Sequence, residues 1–286
     1  CFFYQAEDGI RDLVRSRGLG DVYKRQDVLL MPFTGEVNWK NKDYASPFSH
    51  KKEKASPGYY EVVLDKHNIK AALTTSYRSG MHQYTFPEET TEGKILLDLQ
   101  HRDEVLESSL EIISPYEIKG MRRSKSWAQN QVVYFYLKFD QPVKNYGIAS
   151  KDEPVEPTDI KTASINGKNI KAYFAFAIAG NKTVQVKVGI SGVSTENAKL
   201  NLDTELPDWN CNKVKDAATT AWNKELSKIA ISGGTPDQQV AFYTALYHTM
   251  LAPNIYTDVN GEYRGTDLKV HKAKGFTNYT VFSLWD

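Results

Sequence analysis

Between Asp27 and about Asp203, hydrophobic and polar positions alternate with a period of two. Tyr60, Val62 and Leu64 fall on one face of a strand, and Tyr59, Glu61 and Val63 on the other. "DKHN" (65–68) reads as a turn, and Ile69, Ala71, Leu73, Thr75 and Tyr77 resume the alternation. The same pattern returns at His82, Tyr84 and Phe86, then at Ile95, Leu97 and Leu99. It returns again at Val133, Phe135, Leu137 and Phe139, and at Val184, Val186, Val188 and Ile190. Short alternating strands without an intervening helical pattern predict antiparallel sheets packed as a sandwich, each with one face in the core and one face wet. "SPYEIKG" and "SINGKNIK" supply turn chemistry between strands.

After about Leu206 the period lengthens. Within "NKVKDAATTAWNKELSKIAI" (212–231), Val214, Ala218, Ala221, Leu226 and Ile229 fall near one helical face, and "SGG" (232–234) breaks the pattern. A second helix is predicted over 235–253. Thr235 serves as its N-cap, Pro236 takes the first helical position, and Gln238 completes a capping box. Val240, Tyr243, Tyr247 and Met250 recur at helical spacing, and Pro253 ends the helix at Ala252. Asn260-Gly261 in "DVNGEYRG" (258–265) is a hairpin-turn signal. The fold class is therefore mainly β: a sandwich over 27–205, a helical linker over 206–234, and the opening of a further domain over 235–286.

Composition narrows the classes of function. The 286 residues are 41% hydrophobic and 25% charged, ordinary for a globular protein. A net charge of +1 offers no electrostatic case for nucleic acid or an acidic membrane surface. No run approaches the ~20 apolar residues of a membrane helix. Aromatics reach 12%, which suits a β core and also suits sugar binding, because flat rings pack on the apolar faces of sugars. Cys1 and Cys211 form neither a disulfide framework nor a metal cluster.

Candidate chemistry is sparse. Asp258, Asn260 and Glu262 alternate in the manner of a calcium loop, but the glycine and distant glutamate that such a loop needs are missing, and a turn is the expected structure. The six histidines are scattered, and no pair has metal-ligand spacing; His248 is read as a packed or surface residue. "MRRSKSWAQN" (121–130) joins cations to Trp127. It reads as a loop at the sandwich rim, where Trp127 would stack on a sugar and Arg122 or Arg123 would donate to hydroxyls. "FSHKKEKASPGYY" (48–60) reads as a charged loop and tight turn feeding a strand. Cys211 has no evident base and is expected to be inert. Spacing alone names no enzyme.

Two stretches stand apart. Residues 1–26 resemble translated adapter sequence rather than a native start, and the remainder is electrically neutral. At the other end, "TVFSLWD" closes on Trp285 and Asp286, an apolar run unlike a natural domain end. The chain is expected to be a fragment.

Several blocks together resemble glycoside hydrolase family 92: "DVLLMPFTGEV" (27–37), "FSHKKEKASPGYYEVVL" (48–64), "GMRRSKSWAQNQVVYFYLKF" (120–139), "FYTALYHTMLAPNIYTDVNGEYRG" (242–265) and "YTVFSLWD" (279–286). The resemblance implies a calcium-dependent exo-acting α-mannosidase of a kind frequent in Bacteroidetes, in which a β-sandwich packs through a helical linker on an (α/α)6 barrel with the active site between them. Hydrolysis would be inverting, with a carboxylic acid and a carboxylate base ~6.5–9.5 Å apart. Acid, base and calcium ligands would all lie beyond residue 286, so this chain would hold no catalytic or metal-ligating residue and would be inactive alone. The resemblance makes Trp285 and Asp286 substrate-binding, with Asp286 bonding hydroxyls of the terminal mannose. It further implies a mannose-containing glycan of N-glycan or yeast-mannan type as partner, and a periplasmic, cell-surface or secreted location. The family's opening "NPFIGTGG"-like segment is replaced here by the adapter-like residues. A non-catalytic sugar-binding sandwich, or a phosphorylase of similar architecture, are the competing classes.

Overall fold

A computed structural model describes residues 27–126, 128–156, 163–251 and 253–280. In chain order, β1 (Leu29–Phe33) is followed by one helical turn, α1 (Asn41–Tyr44). Next come β2 (Phe48–Ser56), β3 (Tyr59–Leu64), β4 (Ile69–Thr75), β5 (Ser79–Thr85), β6 (Glu92–Asp98) and β7 (Glu104–Ser114). They lead into β8 (Glu117–Lys125), β9 (Gln131–Phe139), β10 (Asn145–Ser150) and β11 (Glu153–Val155). β12 (Ser164–Gly167), β13 (Ile170–Ala177) and β14 (Thr183–Ser191) complete the sandwich. Three helices follow, α2 (Thr195–Glu205), α3 (Cys211–Leu226) and α4 (Pro236–Thr249), and then a small hairpin, β15 (Glu262–Arg264) with β16 (Val270–Lys272).

The strands pair antiparallel in two large sheets, a five-stranded sheet ordered β1-β6-β13-β10-β11 and a nine-stranded sheet ordered β12-β7-β8-β9-β14-β5-β4-β3-β2. Their inner faces make one core. Ile95, Leu97, Phe174 and Phe176 from the smaller sheet meet Tyr84, Phe135, Phe139 and Val186 from the larger. Phe139 bridges the layers, its ring centroid 5.5 Å from that of Phe174 and 5.0 Å from that of Phe176. Each such buried side chain stabilises the fold by roughly 1.5–3 kcal/mol before entropy is counted. The alternation read from sequence is realised in β3, where Tyr60, Val62 and Leu64 are buried and their neighbours half-buried. It is realised equally at Val184, Val186, Val188 and Ile190.

Four expectations are corrected. The stretch up to Asp203 is not wholly β, because α2 occupies Thr195–Glu205. Its buried face is Asn197, Ala198, Asn201 and Leu202, half of it asparagine, so no apolar stripe betrays the helix. As a result, the outer face of the large sheet is not wet at its centre. Met81 and Tyr136 on that face pack with Ala198, Leu202, Leu206 and Cys211. Lys187, also beneath the helices, directs its ammonium to the Leu206 carbonyl at 2.8 Å and lies 4.2 Å from the Trp209 ring centroid. The third correction is that "FSHKKEK" is the edge strand β2 rather than a loop, its lysines discouraging further strand pairing. Finally, both long helices stop early. α3 ends at Leu226, leaving Ile229 exposed, and α4 ends at Thr249, short of Ala252. The start of α4 is as predicted, with Thr235 Oγ1 accepting from the Gln238 amide and Gln238 Oε1 accepting from the Thr235 amide.

α2 can lie directly on β14 only because residue 189 is glycine. A Cβ there would stand 2.2 Å from the Ala198 carbonyl oxygen and 2.7 Å from Leu202 Cβ. Among the described residues, no helix is long and apolar enough to cross a membrane.

Two stability measurements follow. Gly189→Ala lifts α2 off the sheet and lowers the unfolding free energy by about 1–3 kcal/mol in urea titrations. Gly167→Ala, with no heavy atom within 4 Å of the added methyl, stays near wild type; equal losses would refute the close-approach argument. Separately, His82 is buried beside Tyr84, which lies 2.8 Å away, and burial pushes its pKa down to about 4. The unfolded chain binds this proton near pH 6.5 and the folded chain does not, so stability is full above pH 6.5 and declines as pH falls towards 4. His82→Gln should remove about 3 kcal/mol of that decline. An unchanged pH profile in the variant would show that burial does not lower the His82 pKa.

Candidate functional site

The three residues nominated from sequence, Trp127, Trp285 and Asp286, lie outside the described residues. In sequence, Trp127 falls between β8 and β9, and those two strands are described. Of the arginines before it, Arg122 is not a rim donor. It is buried, donating to the Leu99 carbonyl at 2.8 Å, to the carbonyls of His101 and Arg102, and to the Asp27 carboxylate. Gln131 also donates to Asp27, at 2.7 Å. Strand alternation sends Arg122 to the inner side, and there it ties the start of the sandwich to β8. Sequence reading missed this because a run of three cations looks like a solvated surface. Arg123, on the opposite face, is half-exposed and donates to Asn130 Oδ1 at 2.6 Å.

A polar joint fastens the segment from 254 to 280 to α2. Asp258 is buried. Its Oδ2 accepts from the Ser191 hydroxyl at 2.5 Å and from Asn197 Nδ2 at 2.9 Å, and its Oδ1 accepts from Asn201 Nδ2 at 2.7 Å. Asn201 Oδ1 in turn accepts from the Val259 amide at 2.9 Å. Glu262 accepts from Asn197 and Asn260, whose amides hold its carboxyl below the usual carboxylate range. Asn260-Gly261 does make a turn, with the Gly261 amide bonding the Asp258 carbonyl at 2.9 Å and Gly261 at φ 84°. The hairpin itself forms one strand later, across Gly265–Lys269. Two arginines buttress the joint. Arg78, paired with Glu205 at 2.7 Å, donates to the Thr257 carbonyl at 2.6 Å. Arg264 donates to the carbonyls of Gly192 and Val193.

An open groove of about 560 Å³ lies between the β2–β3 turn and α4. Tyr59, Tyr60, Val240, Tyr243, Tyr247 and His248 are among the residues that line it. Gly58 makes the turn, at φ 82°, and its bare Cα lets the turn touch Ala218 of α3. Trp222 meets Tyr247 edge to face at 4.7 Å, joining α3 to α4. On the strand side, the Tyr60 hydroxyl donates to Glu53 at 2.9 Å, and Glu53 also pairs with His50. The described lining contains no carboxylate, so it can receive flat apolar surface and cannot supply a carboxylic acid or base. None of the residues of α4 is buried, and its Val240 is exposed. Cys211 is buried at the start of α3, and burial pushes its thiol pKa up, away from thiolate reactivity.

The strongest concentration of oxygen ligands is Asp258, Asn260 and Glu262, and their carboxylates are already occupied by hydroxyl and amide donors. Among the described residues, no three His, Cys, Asp or Glu side chains converge as metal ligands. These residues do not fit a calcium ion.

Comparison with known proteins places the whole arrangement. Residues 12–191 match the family model described as the glycosyl hydrolase family 92 N-terminal domain, and residues 197–286 match that of the family 92 catalytic domain. A family 92 α-mannosidase from Bacteroides thetaiotaomicron superposes with a TM-score of 0.84 at 35% identity, covering 91% of this chain and 36% of that one. A family 92 inverting mannosidase from the strain VPI-5482 of the same species superposes at 0.77 with 26% identity, covering 88% of this chain and 34% of that one. An uncharacterised secreted glycosidase of Arthroderma benhamiae is 27% identical over 228 residues, 72% of this chain and 29% of that protein. The chain thus spans about a third of the length of these relatives. With both of its domain models matched in order along one chain, and the sandwich and helices superposing on solved members, the chain belongs to glycosyl hydrolase family 92.

Proposed function

We propose that this chain is the N-terminal part of a longer exo-acting α-mannosidase that removes terminal α-linked mannose with inversion and with calcium as cofactor. The observation that carries the reading is the 0.84 superposition, at 35% identity, on an α-mannosidase that has also been solved with mannoimidazole. The relative described as an inverting mannosidase supports the stereochemistry. The catalytic-domain match over 197–286 favours an enzyme over a self-contained sugar-binding module.

In this reading the sandwich, helical linker and α4 form one wall of an interdomain site, and α4 opens an (α/α)6 barrel. The exposure of α4 supports this, since none of its residues is buried and Val240 stands open to solvent, where an apolar helix residue ordinarily packs against a neighbour. Trp285 and Asp286 bind the terminal mannose, Asp286 by accepting from its hydroxyls, and Trp127 offers a stacking ring at the rim. The catalytic acid and base and the calcium ligands belong to chain beyond residue 286, so residues 1–286 alone are inactive. The substrate is a mannose-containing glycan of N-glycan or yeast-mannan type. The enzyme works in the periplasm, on the cell surface or outside the cell; the secreted fungal relative supports such a location.

The test is mannose release from α-1,2-mannobiose by protein expressed from the uninterrupted reading frame. Release that is lost with a chelator, regained with calcium, and yields the inverted anomer is the expected result. A folded product that releases no mannose from any α-mannoside would sink the proposal. Asp286→Ala should lower kcat/KM by about 10–100-fold, the worth of a hydrogen bond to a charged group; a wild-type value would remove Asp286 from the site.

A further inference from the structure

The segment from Asn254 to Thr280 is closed on itself. The Thr280 amide donates to the Asn254 carbonyl at 2.8 Å, and the Asn254 amide donates to the Thr280 hydroxyl at 2.9 Å. Ile255 pairs with Tyr279 across an isolated antiparallel bridge. The amides of Tyr256 and Thr257 both reach the Asn278 carbonyl, and the Asn278 amide donates to Thr257 Oγ1 at 2.7 Å. Between these joined ends, the Ala273 amide donates to the Gly261 carbonyl at 2.8 Å and β15 pairs with β16. Residues 254–280 are therefore linked to one another along their whole length.

Their attachment to the rest of the fold is of another kind. Among the described residues from 254 to 280, no apolar side chain is buried or packs into a core cluster; Thr257 and Asp258 are the residues that go inside. Leu268, Val270, Phe276 and Tyr279 are exposed. The hold is polar and gathered at 257–264. Ser191, Asn197 and Asn201 donate to the Asp258 carboxylate, Asn197 also donates to Glu262, and Asn201 accepts from the Val259 amide. Arg78 donates to the Thr257 carbonyl. Arg264 donates to the carbonyls of Gly192 and Val193 and stands over the Tyr134 ring, 5.8 Å from its centroid. Such bonds weaken steeply once distance or angle is lost, so a set of them parts abruptly rather than sliding. Each replaces a bond to water, so together they hold less firmly than the apolar core shared by the two sheets. A two-stranded hairpin without a core is marginal in water, so a detached segment would also lose its internal pairing.

We propose that residues 254–280 are a strap that docks on the sandwich and leaves it as one unit, with Asp258 as its catch. Undocking exchanges the donors around Asp258 for water, uncovers no apolar core, and leaves the two sheets folded. Ser191 closes the match to the N-terminal domain model, and the strap lies inside the match to the catalytic one. The catch therefore sits where the two regions meet, and it gives the fold a place to part that costs less than unfolding the sandwich.

The test is native-state hydrogen exchange, read peptide by peptide in a mass spectrometer, on the 286-residue chain across a series of low urea concentrations. In the wild type, peptides covering 254–262 and 270–280 are expected to share one opening, with a weaker urea dependence than the amides of β14. Asp258→Ala is expected to speed exchange throughout the strap by about 10–100-fold, the worth of hydrogen bonds to a charged group, and to leave β14 unchanged. Phe276→Ala, which removes an exposed ring from the same segment, is expected to change neither region. If Asp258→Ala does not accumulate as folded protein, the near-isosteric Asp258→Asn is read in the same way, and the wild-type urea series stands without either variant. Strap amides that follow the opening and urea dependence of β14 would show a segment fused to the sandwich and overturn the proposal. So would strap amides with no protection in the wild type, faster exchange confined to 257–259 in the variant, an equal rise in β14, or a Phe276→Ala effect as large as that of Asp258→Ala.

Discussion

A single buried carboxylate, that of Asp258, couples the β-sandwich to the chain that follows its helices. Its donors are a strand residue, Ser191, and two helix residues, Asn197 and Asn201, all neutral. Burying an anion without a cationic partner is costly unless its lone pairs are met, and here hydroxyl and amide dipoles oriented by rigid elements meet them. The arrangement tolerates little change. Removing one donor leaves a charge in a dry site, while replacing the whole set with leucines would keep the contact and lose its direction.

That joint explains other features of the fold. α2 must lie close against β14 for its asparagines to reach both Ile190 and Asp258, and the glycine at 189 permits that approach. Once α2 and α3 cover the sheet, the central strands are buried on both faces. Polar groups such as Thr74 and Lys187 then need internal partners, and they find the carbonyls of Gly58 and Leu206. Arg122 and Asp27 solve the same problem on the inner side of β8, where the first described residues are drawn against that strand. Buried polar groups in this protein therefore mark places where separate elements are fastened together.

The groove between the β2–β3 turn and α4 has a different character. Its walls are tyrosines, an open helix face and a turn enabled by Gly58, and its described lining carries no acid. Such a surface supports recognition and packing rather than bond cleavage.

The sequence by itself determined the elements governed by short-range periodicity and capping. The strands around Tyr60, Phe135 and Val186 were legible because alternation is dictated by the pleat. The start of α4 was legible because Thr235, Pro236 and Gln238 satisfy the helix end locally. The family was legible because its motif blocks are contiguous in the chain. Only the tertiary structure decided the rest. α2 was hidden because two of its four buried side chains are asparagines, whose role depends on Asp258, far away in sequence. Arg122 looked like a surface cation because its acceptors, Leu99, His101, Arg102 and Asp27, come from other parts of the chain. The wet outer face of the large sheet became dry because helices that follow the strands in sequence fold back over it. In each case the deciding partner is remote along the chain, and local pattern carries no record of which remote groups will meet.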